Sequence, residues 1–231
     1  MNAGSVIRAL RSRHTVALCA LLYIPFMLQT EAHAQSDGAT TWRVTVGGFV
    51  GTMVFDEKLA DYRWDVRPAT QSGIQGLVYR NRISGGLRLW QSSTTQESGI
   101  PGETLVPHVK LIGAELVGQL RIVRYRSVEL WGLANTGRIH MGYSPDQATF
   151  DPGGGLAPIT VDFDPISEWT LGYGATIRSD LGQHLALAMQ VEQATFALNT
   201  AHRRGGEIVQ ERERFRNWSL RMELSWLVSF R

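Results

Sequence analysis

The sequence is almost without cysteine. Its single cysteine, Cys19, lies within an apolar N-terminal segment, so the remainder of the chain has no thiol for a disulfide, a cysteine metal site or a nucleophile. The 231 residues are enough for one domain. Without disulfides such a domain needs another source of stability, and closing a β-sheet on itself is one.

Long hydrophobic runs are also missing. Beyond the N-terminus, no segment approaches the ~20 consecutive apolar residues that a membrane-spanning helix requires. The mean hydropathy of −0.12 resembles that of a soluble protein. That average does not exclude a membrane-spanning β-barrel, because lipid-facing and lumen-facing residues alternate along each strand and cancel.

The chain has little net charge. Its formal charge of +2 gives no reason to expect nucleic-acid binding. Lys58 and Lys110 are the only lysines, so nearly all positive charge is on arginine. Arginine suits buried pairing with carboxylates better than lysine does, because its planar fork offers several fixed donors.

The N-terminus has the pattern of an export signal. Basic Arg8, Arg11 and Arg13 precede an apolar stretch from Val16 to Leu28, and Ala32-His33-Ala34 supplies the small-x-small cleavage motif. We therefore predict a signal peptide at residues 1–34, cleaved after Ala34, and one mature domain at 35–231.

The mature chain alternates extended segments with polar connections, and no segment has convincing helical periodicity. The connections alternate strictly in length, long then short, which is typical of outer-membrane barrels with their short periplasmic turns and long extracellular loops. The pattern predicts eight strands, at Thr41–Phe55, Thr70–Tyr79, Ile83–Ser92, Pro107–Val123, Ser127–Tyr143, Glu168–Arg178, Gln183–Leu198 and Phe215–Phe230.

Side-chain alternation indicates which face of each strand meets lipid. In the last strand Trp218, Met222 and Trp226 share one face, while Arg221 and Glu223 share the other. Across the strands the polar face carries small residues and isolated charges, which suits a narrow eight-stranded lumen. The second and fifth strands alternate poorly. We predict an all-β fold: an eight-stranded antiparallel up-and-down transmembrane β-barrel.

The chain resembles the small eight-stranded outer-membrane barrels of the OmpA-like domain type. The residues that carry the resemblance are Ala32-His33-Ala34, the Gly-rich strand from Val46 to Gly51, the segment from Tyr173 to Leu187, and the final strand. The resemblance implies a Gram-negative outer membrane, with its lipids and lipopolysaccharide as surroundings. It also implies that the assembly machinery recognises the C-terminal strand, whose aromatic Phe230 is followed here by Arg231.

Two sets of site residues follow from the predicted faces. The predicted lumen charge network comprises Arg43, Arg88, Glu115, Arg121, Arg178, Glu192, Arg221 and Glu223. Unpaired buried charge is very costly, so these groups are expected to pair. They form either a structural plug or a gate in a narrow ion path. The predicted lipid-facing and girdle residues are Trp42, Trp169, Tyr173, Trp218, Trp226 and Phe230.

Three functions are compatible with these patterns. We favour a non-enzymatic structural or surface-interaction role, ahead of a porin-like small-solute channel and of an enzyme that modifies lipopolysaccharide. The enzyme would need a Ser/His pair at the outer rim, where His140 precedes Ser144 by four residues, but nothing in the sequence fixes such a pair. No cofactor or metal is expected, since the acidic spacing around Asp162 and Asp164 matches no calcium loop. Arg212 and Arg214 are candidates for contact with lipopolysaccharide phosphates.

Overall fold

A computed structural model describes residues 42–55, 58–59, 62–65, 67–97, 106–150, 159–204 and 207–230. The predicted signal peptide lies outside these residues. No helix in the described part of the chain is long and apolar enough to cross a membrane.

The described chain is built from β-strands. In chain order they are β1 (Trp42–Phe55), β2 (Lys58–Leu59), β3 (Tyr62–Trp64), β4 (Ala69–Arg80), β5 (Ile83–Glu97), β6 (His108–Tyr125), β7 (Val128–Ser144), β8 (Gln147–Phe150), β9 (Ile159–Asp162), β10 (Ile166–Asp180), β11 (Leu185–Arg204) and β12 (Glu207–Phe230).

Eight of these strands close into a barrel. Their order is β5-β4-β1-β12-β11-β10-β7-β6, and the additional pairing of β5 with β6 completes the ring. Every pairing is antiparallel. The first and last strands pair from Trp42 opposite Phe230 to Phe55 opposite Asn217. The predicted eight-stranded antiparallel barrel is therefore confirmed.

The connections sort by length onto the two ends of the barrel. The short turns at residues 81–82, 126–127 and 181–184 lie at the end where β1 begins and β12 finishes, here called the turn end. Asn81 and Arg126 have positive φ angles of 54° and 56°, and Gly182 has one of 110°, as tight reversals require. The long connections lie at the opposite end, called the loop end.

The loop end holds more strand than the sequence predicts. β11 continues to Arg204 and β12 begins at Glu207, so the polar loop predicted between Leu198 and Phe215 is largely a hairpin. Its charged residues resemble a loop in composition, but the two strands pair along their whole length. β5 likewise extends to Glu97, and β8 pairs with β9 inside the connection predicted from residue 144 to 167.

The poor alternation of the second and fifth predicted strands has a packing cause. Leu77 and Tyr79 of β4 and Trp131 and Leu133 of β7 point into the barrel, where they form one buried cluster. Large apolar side chains therefore occupy both faces of these strands near the turn end. A register shift between Arg121 and Val123 adds a local irregularity where β6 meets β7.

Candidate functional site

The interior of the barrel is filled by layers of side chains. The layer nearest the loop end is apolar, with Phe49, Met53 and Phe55 from β1 at its centre. The other strands complete it with Ala69, Trp90, Val109, Leu111, Ile139, Met141, Phe196, Leu198 and Phe215. This loop-end apolar layer was not predicted, because large side chains were assigned to the lipid face.

A charged layer lies below it, near the middle of the barrel. Arg88 Nη1 donates to Glu115 Oε2 at 2.8 Å and to Glu192 Oε2 at 2.7 Å. Arg221 Nη1 donates to Glu192 Oε2 at 2.7 Å. Arg88 and Glu192 are each only 1% exposed. Glu192 thus accepts from Arg221 on the neighbouring strand and from Arg88 across the lumen.

Neutral side chains complete the hydrogen bonding of this central charged layer. Arg88 Nε donates to Gln75 Oε1 at 2.8 Å, and Arg221 Nε donates to Gln71 Oε1 at 2.6 Å. Trp90 Nε1 donates to Glu115 Oε1 at 2.7 Å. Buried charges are tolerated when their remaining donors and acceptors are satisfied in this way. The amides and Trp90 were absent from the predicted network.

Glu223 differs from the other two carboxylates of the layer. Its Oε2 accepts from Gln75 Nε2 at 2.8 Å, and no ion pair to it is found among the described residues. The side chain is nevertheless buried. The central layer therefore combines two arginines with three glutamates, one of which is held only by an amide.

The next layer towards the turn end is apolar and aromatic. Leu77, Tyr79, Val117, Trp131 and Leu133 form it. Tyr79 and Trp131 meet edge to face, with ring centroids 5.3 Å apart. This aromatic layer lies between the central charged layer and a second charged group nearer the turn end.

The second charged group occupies the turn end of the lumen. Arg43 pairs with Asp180 at 3.2 Å, Arg121 with Glu129 at 3.1 Å, and Arg178 with Asp180 at 3.1 Å. The eight predicted network residues thus all point inward but belong to two separate layers. Sequence reasoning missed Glu129 and Asp180. Asp180 falls in the predicted turn after Arg178, and Glu129 falls in the fifth predicted strand, which alternates poorly.

The outer surface of the barrel is apolar over most of its height. Trp169 and Leu171 are 65% and 67% exposed, and Trp42, Tyr173, Trp218 and Trp226 also face outward. The side chain of Phe230 lies outside the described part. The exposed band includes Val46, Val50, Ile74, Leu87, Leu89, Leu116, Leu120, Met222 and Leu224. So large an apolar surface is unfavourable in water and matches the lipid-facing band of a membrane barrel.

One Ser–His contact lies on this outer surface. His140 Nδ1 and Ser167 Oγ are 2.8 Å apart, and both side chains are exposed. The partner is Ser167 on β10, and not Ser144. Among the described residues no side chain orients the other ring nitrogen, and no group of side chains is arranged to hold a metal ion.

An apolar exterior around a filled interior whose buried charges are paired, in a closed ring of paired strands, defines a transmembrane β-barrel. No protein-family model matches the chain, and no curated protein sequence matches it.

Solved structures with similar folds are nonetheless found. The NMR structure of Escherichia coli outer membrane protein W is 14% identical, covers 83% of this chain and 99% of its own, and has a TM-score of 0.48. Neisserial surface protein A is 9% identical, with 81% and 99% covered and a TM-score of 0.47. AlkL in lipid bilayers is 14% identical, with 87% and 97% covered and a TM-score of 0.43. These likenesses are weak, and the barrel rests on the pairings described above.

Proposed function

We propose that this chain is an integral outer-membrane protein whose barrel is a closed scaffold, and whose role is performed by its outer surface and its loop end. The observation that carries the proposal is the filled lumen. The central ion pairs are fully buried, and apolar layers cover them on both sides.

A closed lumen argues against the alternative of a small-solute channel. An ion crossing the barrel would have to displace the apolar layer at the loop end and then separate Glu192 from its two arginines. Leaving one buried charge unpaired costs several kcal/mol, about 3–5 by analogy with broken buried pairs. Polar rings that conduct ions must bind them weakly enough to release them. Glu192 is instead held at 2.7 Å by each of two arginines.

Conductance across a planar bilayer tests the closed lumen. The purified barrel is expected to give no single-channel events at moderate voltage. A variant with Met53→Ala and Met141→Ala, which thins the loop-end apolar layer, serves as a control for a partly opened path. Regular single-channel events in the unaltered protein that Glu192→Gln abolishes would contradict the closed scaffold and support the channel.

The proposed location has its own test. The predicted signal peptide implies export, and the apolar band requires a membrane. The protein is expected in the outer-membrane fraction, with N-terminal sequencing starting at Gln35. It should also migrate differently on a denaturing gel before and after boiling. A single periplasmic band without a heat shift would contradict the proposal.

The enzymatic alternative rests on the His140–Ser167 contact alone. A serine hydrolase also needs donors for the developing oxyanion, and the backbone around Ser167 is committed to strand pairing with β7. We therefore propose a non-enzymatic role. Mass spectrometry of lipid A from cells with and without the protein should show the same acylation. A difference lost on Ser167→Ala would overturn this part of the proposal.

A further inference from the structure

Basic side chains of β6 and β7 face outward near the loop-end edge of the apolar band, beside Ser167 of β10. Arg138 lies opposite Trp169, and His140 lies opposite Ser167. Lys110 lies opposite Gly142 on the neighbouring strand pair. We call Lys110, Arg138, His140, Gly142 and Ser167 the rim patch.

The height of the rim patch is set by its neighbours. Leu116 and Leu171 lie opposite Thr136, the next outward residue from Arg138 towards the turn end, and both are exposed. Trp169, at the level of Arg138, is the kind of residue that marks a membrane–water interface. The rim patch therefore lies where the headgroups of the surrounding lipids begin.

The cations of the rim patch are not paired with carboxylates in the part of the chain that the structure describes. No carboxylate within ion-pair distance of Lys110 or Arg138 is found among the described residues, although the inward-facing arginines named above are paired. Arg138 instead lies over the ring of Trp169, 5.9 Å from its centroid. This contact holds the guanidinium on the surface, with its donors available to a ligand.

The rim patch also has room for a ligand. Gly142 occupies the outward position directly opposite Lys110, and a Cβ added there would meet no atom within 4 Å. Lys110 thus borders an open site on the surface, while Ser167 keeps His140 in place from the other side.

We propose that the rim patch binds the phosphate of a phosphorylated lipid in the outer leaflet, of the lipid A type. The acyl chains of such a lipid would lie along Leu116 and Leu171, which places its headgroup phosphate at Arg138, with Lys110 above it towards the loop end. A soluble acidic protein could use the charges but not the adjoining apolar band. This inference rests on the proposed outer-membrane location.

The test measures lipid retention by the purified full-length barrel in neutral detergent micelles. Bisphosphorylated lipid A is added to one sample and dephosphorylated lipid A to another, and native mass spectrometry counts the molecules bound. The unaltered protein is expected to prefer the phosphorylated lipid about tenfold or more, as charge-assisted hydrogen bonds imply. Lys110→Ala with Arg138→Ala should remove the preference.

Two further variants separate the site from general charge. Gly142→Glu puts a carboxylate into the open site and should also abolish the preference. Arg80→Ala with Arg82→Ala removes two exposed cations at the turn end and should leave it unchanged. Heat-dependent gel migration checks that each variant is a folded barrel.

Several outcomes would overturn the inference. One is equal retention of both lipids, and another is a preference that survives in the Lys110/Arg138 variant. Displacement of lipid A by millimolar inorganic phosphate alone would make this an ion site and not a lipid site. In each case, outer-membrane fractionation and a heat shift would still support the proposed function. Failure of the lipid site can therefore be distinguished from failure of the proposed function.

Discussion

The two charged layers of the lumen use the same chemistry in different surroundings. In the central layer, Arg88, Glu192 and Arg221 have side chains that are at most 2% exposed. At the turn end, Arg43 and Asp180 are 19% and 27% exposed. Pairs that water reaches are weakly stabilising, whereas a buried pair is strongly destabilising when one partner is lost. Burial, and not the number of ion pairs, decides what each layer contributes.

The largest expected effect is in the central layer. Glu192→Gln removes the carboxylate that accepts from both Arg88 and Arg221, leaving two buried guanidinium groups close together. We expect a loss of about 3–5 kcal/mol in the free energy of unfolding. Urea titration of the barrel in detergent micelles measures it. If Glu192→Gln lowered the free energy of unfolding less than Asp180→Asn at the turn end, burial would not distinguish the two layers.

A smaller effect is expected at the turn end. Asp180→Asn weakens the pairs with Arg43 and Arg178, but water reaches Asp180 and Arg43, and Glu129 remains 3.7 Å from Arg43. The buried Arg178 still lies 4.5 Å from the centroid of the Tyr79 ring. The free energy of unfolding should fall by about 1 kcal/mol or less. The same titration, repeated at high salt, should show the effect shrinking further.

Glu223→Gln is the matched control within the central layer. Glu223 is buried like Glu192, but its one described partner is the amide of Gln75. Glutamine keeps an oxygen that can accept from Gln75 and removes a buried charge without an ion pair. Unfolding in urea should therefore occur at the same concentration as in the unaltered protein, or slightly higher. A loss as large as that of Glu192→Gln would show that charge alone, without its partners, matters in this layer.

The smallest effect belongs to a pair outside the barrel wall. The hydrogen bond from Arg67 lowers the pKa of Asp65 below its ordinary value. Because the folded-state pKa is lowered, the contribution of this pair is present above the unfolded pKa and is lost as pH falls through the folded one. Arg67→Ala should raise the pKa of Asp65 in a carboxyl NMR titration, with almost no change in unfolding at neutral pH.

Much of this architecture follows from the sequence. The alternation of the last strand and the order of long and short connections predict the barrel, because both depend on the two-residue period of a strand. The same period places Arg88, Glu115 and Glu192 inside. It does not predict which charges meet, since Arg88 and Glu192 are 104 residues apart and their contact depends on the register of several strands.

The apolar layers were harder to foresee. Phe49 and Met53 share a face with Thr45 and Gly47. In the sequence alone they are therefore apolar exceptions on a face that is otherwise polar or small. Only the packed barrel shows that such exceptions from several strands meet at one height. The β11–β12 hairpin was missed for a related reason, since charged residues resemble a loop until their pairing partner is known.

The pairing of β1 with β12 has a consequence for the order of folding. It joins the two ends of the described chain, from Trp42 and Phe230 onward, so it closes the longest loop in the molecule. Arg221 lies on β12, while Arg88 lies on β5, and Glu192 on β11 can bind both only in a closed ring. Arg88 also pairs with Glu115 on the neighbouring β6, and Arg221 pairs with Glu192 on the neighbouring β11, so closure adds the contact that joins these two pairs across the lumen. An intermediate with an open seam lacks that contact and carries two unpaired strand edges.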